Sequence, residues 1–314
     1  MKKYLVLAVV FMAVAATVVA RPKERRGDSV PAEFNLVTYN IRLPAGSDSV
    51  NGNGWGRRLP WIASMVRFHD FDIFGTQEGV KHQLDSLRGR LPGYDYIGVG
   101  RDDGASLGEH AAIFYNTGLF ELVDQGDFWL SETPDRPSFG WDAACRRVCT
   151  WGRFRHKPSQ REFVYFNLHM DHIGVEARRQ SVELVKRKIN ELGVAGLPVF
   201  LSGDFNIDQN SALIKGIPES GVFKDAHDAA LIVYQPNGTF NAFNPRGFTA
   251  SRIDHIFVSP QVEVLKYGVL TDTYRTLSPE MSEADFSDPL RINVATYDSR
   301  TPSDHYPVVT RVRF

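Results

Sequence analysis

The sequence predicts a layered α/β sandwich. Short apolar runs alternate with turn residues along nearly the whole chain, neighbouring runs read as antiparallel strand pairs, and few segments carry helical spacing. That mixture argues for stacked sheets with some helical cover and against a Rossmann or barrel array.

Residues 34–41 alternate and then break at Pro44 and Gly46, the pattern of a strand. Trp61, Met65 and Phe68 mark a helix that ends before a second strand at residues 71–75. Strand-like runs follow at residues 94–99, 111–115, 120–123, 148–154 and 163–168. Residues 174–192 place Val175, Val182, Val185, Ile189 and Leu192 at helical spacing with charges between them. The continuous apolar run 197–201 reads as a buried strand, and runs at 253–258, 262–270 and 308–312 complete the set. Three long segments rich in Gly, Asn, Asp and Pro, at 43–57, 236–251 and 271–303, read as recognition loops.

The first twenty residues stand apart. Lys2 and Lys3 precede an apolar stretch from Leu5 to Val19, and Val18-Val19-Ala20 offers small residues at a cleavage point. This is the layout of a secretory signal peptide, and the apolar run is shorter than the roughly 18–20 residues of a spanning helix. The chain is therefore expected to be exported, periplasmic or secreted, with a polar linker at 21–33 and one catalytic domain at 34–314. Without the two leader lysines the formal charge moves from −1 to −3, so no global positive field draws nucleic acid. At 43% hydrophobic residues there is ample material for a core. The cysteines are Cys145 and Cys149; four residues of strand span roughly 13 Å, beyond the roughly 7 Å limit of a disulfide. A turn or short helix would bring them within reach, so both a bridge and two unreactive thiols stay open.

Chemistry-bearing residues fall at the ends of apolar strands, where sheet enzymes present side chains into a cleft. Asn40 closes Val37-Thr38-Tyr39-Asn40, and Glu78 follows Ile73-Phe74-Gly75-Thr76-Gln77. His169 and Asp171 end Phe166-Asn167-Leu168-His169-Met170-Asp171-His172. Asp204 and Asn206 sit in Gly203-Asp204-Phe205-Asn206, Asp254 in Arg252-Ile253-Asp254-His255, and Asp304 and His305 in Ser303-Asp304-His305. Singly these are ordinary turn residues.

Together, in this order, they resemble the endonuclease/exonuclease/phosphatase family over about residues 34–314. The resemblance implies a four-layer, DNase I-like α/β sandwich and a metal-dependent phosphoester hydrolase. It implies Glu78 as principal ligand of Mg²⁺ or Mn²⁺, with Asn40 beside it and Asp304 associated. It also implies Asp204 and Asn206 orienting water, and His305, partnered by Asp254, as general base or phosphate contact. His169 matches a second catalytic histidine, with Glu109 its carboxylate partner. These types suit the chemistry, since phosphoester hydrolysis needs a hard cation, an oriented water and a protonated leaving oxygen. Arg42 and Tyr115 are candidate substrate contacts, and Asp171 either contacts substrate or braces the cleft. Arg57 and Arg58 join Arg42 as candidate phosphate contacts, and Trp55, Phe240 and Phe243 as a stacking platform. The substrate is a phosphoester: nucleic acid, phosphosugar, inositol phosphate or phospholipid headgroup. No protein partner is implied, and the chain reads as a monomer.

Two other classes compete. The run from Asn167 to His172 looks like the His-x-His-x-Asp-His motif of two-zinc hydrolases with Asn in place of the first His. A catalytically silent binding module would keep the fold and lose the site, but the acid–base residues are all present.

Overall fold

Two mixed β-sheets face one another across an apolar layer, and helices cover their outer sides in a computed structural model that describes residues 30–194, 196–277 and 297–314. Residues 1–29, which hold the expected leader and most of the expected linker, lie outside the described residues. One compact unit runs from Pro31 to Phe314.

The seven-stranded sheet has the order Val233–Tyr234, Glu263–Val269, Val308–Arg313, Glu33–Asn40, Ile73–Gln77, Ile113–Asn116, Tyr94–Ile97. The six-stranded sheet runs Lys224–Asp225, Asp254–Val258, Val199–Asp204, Arg161–His169, Val148–His156, Phe120–Trp129. Each sheet contains one parallel pair joined through a helix, and the seven-stranded sheet has a further short one at its edge, Val233–Tyr234 with Glu263–Val269. Glu33–Asn40 crosses by helix Trp55–Phe68 to Ile73–Gln77, and Arg161–His169 crosses by helix Val175–Glu191 to Val199–Asp204. A parallel pair brings two strand ends out on the same edge, so Asn40 lies level with Gln77 and His169 with Asp204.

Phenylalanines fill the layer between the sheets: Phe34, Phe120, Phe163 and Phe200 pack edge-on or tilted, with Phe154 stacked on Phe163, among Leu36, Ile73 and Ile256. Toward the strand ends this layer turns polar and specific. Gln77 Nε2 donates to Asn167 Oδ1 at 2.8 Å across the sheets, and Asn167 Nδ2 returns bonds to the carbonyls of Thr76 and Ala112. Tyr165 OH donates to the Val37 carbonyl. Gly75 makes this contact possible, because a Cβ there would run into Asn167 and the Tyr165 hydroxyl. The Asn167 amide has both its oxygen and its nitrogen bonded, and the Gln77 nitrogen is bonded too, while Gln77 Oε1 has no partner.

The strand and helix expectations match the observed elements, with instructive exceptions. The run expected at 120–123 extends to Trp129. It is the edge of its sheet, so its polar residues face solvent and hide the pattern. The first helix forms, but Leu59, Ile62, Met65 and Val66 make its buried face, while Trp61 and Phe68 are exposed and Trp61 stacks on Tyr274. The loop at 271–303 carries a hairpin base, Tyr274–Leu277 with Tyr297–Arg300; residues 278–296 lie outside the described residues. Cys145 and Cys149 are both free thiols.

Candidate active site

The ends of the two helix-bridged parallel pairs open into one cleft of about 490 Å³, with Arg42, Glu78, Asp204, Asn206, Asp304 and His305 among its walls. Asp204 stands at its centre. Register places it beside His169 on one strand and Asp254 on the other. Gly203 permits that closeness, since its φ is 148° and a Cβ would collide with the Leu168 carbonyl. Asp204 Oδ2 accepts from Asn40 Nδ2 at 3.1 Å and lies 3.8 Å from His305 Nε2 and 3.7 Å from His169 Nε2. Its Oδ1 accepts the Asn206 N–H at 2.8 Å.

His305 Nδ1 is 2.9 Å from Asp254 Oδ2, inside the buried layer. Burial works against a charged ring, but the charge and hydrogen bond of Asp254, then Asp204 and Asp304, outweigh it and hold the pKa at about 10. The Asp204 carboxyl is lifted to about 7, by burial first and Asp254 second, with His305 opposing. His169 moves the other way. Burial pushes its pKa well below the usual value, and Arg147 and Arg101 add to it. Asn206 Nδ2 donates to the Met170 carbonyl and sits 3.0 Å from His169 Nε2, which leaves the ring proton on Nδ1.

Glu78 is gripped from two sides: Asn40 Nδ2 donates to Oε1 at 3.0 Å and the Leu43 N–H to Oε2 at 3.1 Å. Arg42, Glu78 and Asn206 all have left-handed backbone, with φ of 58°, 64° and 52°. Such conformations cost about 1–3 kcal/mol each and gather where function fixes geometry. Arg42 Nε donates to Asp48 at 2.9 Å and lies 3.6 Å from Asp304. Asp304 is raised by burial, with Glu78 adding and His305 and Arg42 opposing.

Two donor sets at the cleft suit a divalent cation. Glu78 and Asp304 offer hard carboxylate oxygens, while Asn40 turns its Nδ2 to Glu78 and its Oδ1 accepts the Arg42 N–H at 3.0 Å. Asp204, Asp254 and His305 also converge, with ligand atoms within 4.8 Å of one another. Asp254 is already engaged by His305, so the oxygen set suits Mg²⁺ better and the imidazole-containing set the softer metals.

The structure corrects several expectations. Tyr115 pairs with Ile73, at the far end of its neighbouring strand from Gln77, and its ring packs on Phe154 in the intersheet core. It does not reach the cleft. Asp171 braces a loop instead of facing substrate: Oδ1 accepts the Ile173 and Gly174 N–H groups and Oδ2 the Cys145 N–H. Burial opposes, yet those bonds and Arg147 hold its carboxyl at about 2. Glu109 lies 3.7 Å from His169 Nδ1 but its short partner is Arg101, at 2.7 Å. Arg58 is buried on main-chain carbonyls and touches no cleft. Trp55 bonds Ser86, while Phe240 and Phe243 do line the cleft, Phe240 42% exposed and edge-on to His305 at 5.1 Å. Asp48 lines the wall too, on the short helix Gly46–Val50, which no periodicity announces. Asn167 is spent on holding the sheets together, so the two-zinc motif does not form.

The family model described as Endonuclease/Exonuclease/phosphatase family matches residues 37–305. A solved endonuclease/exonuclease/phosphatase family protein from Bacteroides thetaiotaomicron is 52% identical, with a TM-score of 0.84 over 90% of this chain and 98% of that one. The mannosyl-6-phosphatase Bt3783 of Bacteroides thetaiotaomicron is 53% identical, with a TM-score of 0.82 over 90% of this chain and 100% of that one. An uncharacterized protein of Acanthamoeba polyphaga mimivirus is 31% identical over 163 residues, which is 49% of this chain and 60% of that relative's length. The chain belongs to the endonuclease/exonuclease/phosphatase family, the hydrolases of phosphoester bonds.

Proposed function

We propose that this protein is a divalent-metal-dependent phosphomonoesterase acting on a phosphorylated sugar. The observation that carries the chemistry is the convergence of Glu78, Asp204, Asn206, Asp254 and His305 on one cleft. The sugar reading draws on the likeness to a mannosyl-6-phosphatase along that protein's whole length. It also draws on the wall of Phe240 and Phe243, whose faces suit the C–H side of a pyranose ring. A net charge of −3 after the leader gives a long polyanion little to hold.

Glu78 and Asp304, with Asn40 bracing Glu78, would hold Mg²⁺ or Mn²⁺, which when bound supplies charge stabilisation on the phosphoryl oxygens. Asp204, once ionised, orients and deprotonates the attacking water, with the Asn206 N–H fixing its other oxygen. His305, positively charged beside Asp254, binds a phosphoryl oxygen through Nε2 and fits the phosphate-contact role better than the base role, because a base must be neutral. His169, neutral and accepting from Asn206 Nδ2 through Nε2, holds the Asn206 side chain in place beside Asp204. Export follows from the leader, and the first residue of protein recovered outside the cytoplasm should lie near position 21.

The deciding experiment is phosphate release by the purified chain with Mg²⁺ or Mn²⁺ from hexose 6-phosphates, inositol phosphates, oligonucleotides and phospholipid headgroups. Preference for a hexose 6-phosphate supports the reading. Cleavage of oligonucleotides with no release from any sugar phosphate overturns it.

A further inference from the structure

We propose that Arg58 is the positioning residue of the cleft, fixing its catalytic segments from beneath through their main-chain carbonyls. The inference rests on the phosphoesterase reading above but on no particular substrate. Arg58 lies in helix Trp55–Phe68 and is wholly buried, at 0% exposure. Its guanidinium donates to four carbonyls: Nε to Asn53 at 2.7 Å, Nη1 to Ile41 at 2.7 Å and Pro302 at 3.0 Å, and Nη2 to Arg42 at 3.1 Å. Trp55 and Phe243 lie against the group, 5.3 and 5.6 Å from its centre.

Those carbonyls belong to three stretches that carry the site. Ile41 and Arg42 continue from Asn40 and lead to Leu43, whose N–H grips Glu78. Asn53 closes the loop of Asp48, with its N–H on the Asp48 carbonyl at 2.7 Å. Pro302 precedes Ser303, Asp304 and His305, and Ser303 Oγ ties that run back to the Asn40 carbonyl at 2.7 Å. One planar fork therefore sets where the metal-side carboxylates stand relative to His305. Burying a cation against neutral carbonyls is costly, and an apolar side chain would fill a helix face more cheaply. The fork is what an apolar residue or a lysine cannot supply, because only guanidinium presents five donors in fixed directions.

The test uses Arg58→Lys and Arg58→Gly in the full chain, assayed with whichever phosphoester of the panel the wild type hydrolyses. Arg58→Lys keeps the charge and loses the fork. Its kcat per folded molecule should fall about ten- to a hundredfold, the scale of an ångström-level misplacement, with KM changed less than about threefold. Guanidinium ion at low millimolar concentration should raise the kcat of Arg58→Gly. If both fold poorly, Trp55→Leu carries the test, since it removes one ring from the guanidinium and should lower kcat selectively. Wild-type kcat per folded molecule in Arg58→Lys, or in Trp55→Leu where that variant decides, overturns the proposal. Absence of wild-type activity on every phosphoester would instead overturn the functional reading.

Discussion

Glu33–Asn40 with Ile73–Gln77 in one sheet, and Arg161–His169 with Val199–Asp204 in the other, are each a parallel pair bridged by a helix, but their surroundings differ in charge. The first pair leads to Glu78 and faces Asp304 and Asp48. The second leads to His169, backed by Arg101 and Arg147. The consequence shows in two histidines almost equally far from one oxygen of Asp204, 3.7 Å for His169 and 3.8 Å for His305. His305 is buried and His169 largely so, and burial lowers both; His305 bonds Asp254 at 2.9 Å through its other nitrogen, whereas Glu109 stands 3.7 Å from the other nitrogen of His169 and is paired with Arg101, and only His305 rises. Equal distance to Asp204 thus gives opposite protonation, so roles in this cleft are set by what stands behind each ring.

The largest expected effect breaks that contrast at its strong end. His305→Ala should lower kcat on the order of 10²-fold or more while leaving the fold intact by circular dichroism. Near-wild-type turnover in folded protein would remove His305 from the mechanism. Glu78→Ala comes next: the metal concentration for half-maximal activity should rise about tenfold or more, as loss of a ligand oxygen demands. An unchanged metal titration would move the cation to the cluster of Asp204, Asp254 and His305.

Asp254→Asn sharpens the comparison by making His305 resemble His169. Activity that needs ionised Asp204 and charged His305 should rise with pH through about 7 and fall through about 10. Asp254 raises both groups, so its neutralisation should move both limbs to lower pH and cut the maximal rate about tenfold or more. A profile with no alkaline fall in the wild type would mean that His305 works as a neutral base.

The sequence made the strand ends legible because each candidate motif is local: an apolar run followed within a few residues by Asn40, Glu78, His169 or Asp204, or preceded by His305. It also made the sandwich legible, since both parallel pairs carry strong hydrophobic runs. Arg58 and Asn167 were not legible, and for one reason. Each is a polar residue whose partners are far along the chain, Pro302 for Arg58 and Gln77 for Asn167, so no local pattern distinguishes a buried tie from a surface contact. Asp48 stayed hidden because a five-residue helix is too short to show a period.

Tyr115 carries the smallest expected effect and tests the same point in reverse. Strand polarity decides its place: Ile113–Asn116 runs antiparallel to Ile73–Gln77, so moving along it from Ile113 leads away from Gln77 and the cleft. Tyr115 therefore pairs with Ile73 and turns its ring into the intersheet layer against Phe154. Tyr115→Phe keeps that ring and removes only the hydroxyl, so kcat and KM should stay within about twofold, because packing volume is conserved. Tyr115→Ala should instead lower stability by about 3–5 kcal/mol, the cost of a large aromatic cavity, and leave the kinetics of the remaining folded molecules alone. A kcat loss in Tyr115→Phe without a change in melting temperature would place the hydroxyl at the phosphate and show that the register between these two strands differs in the working enzyme.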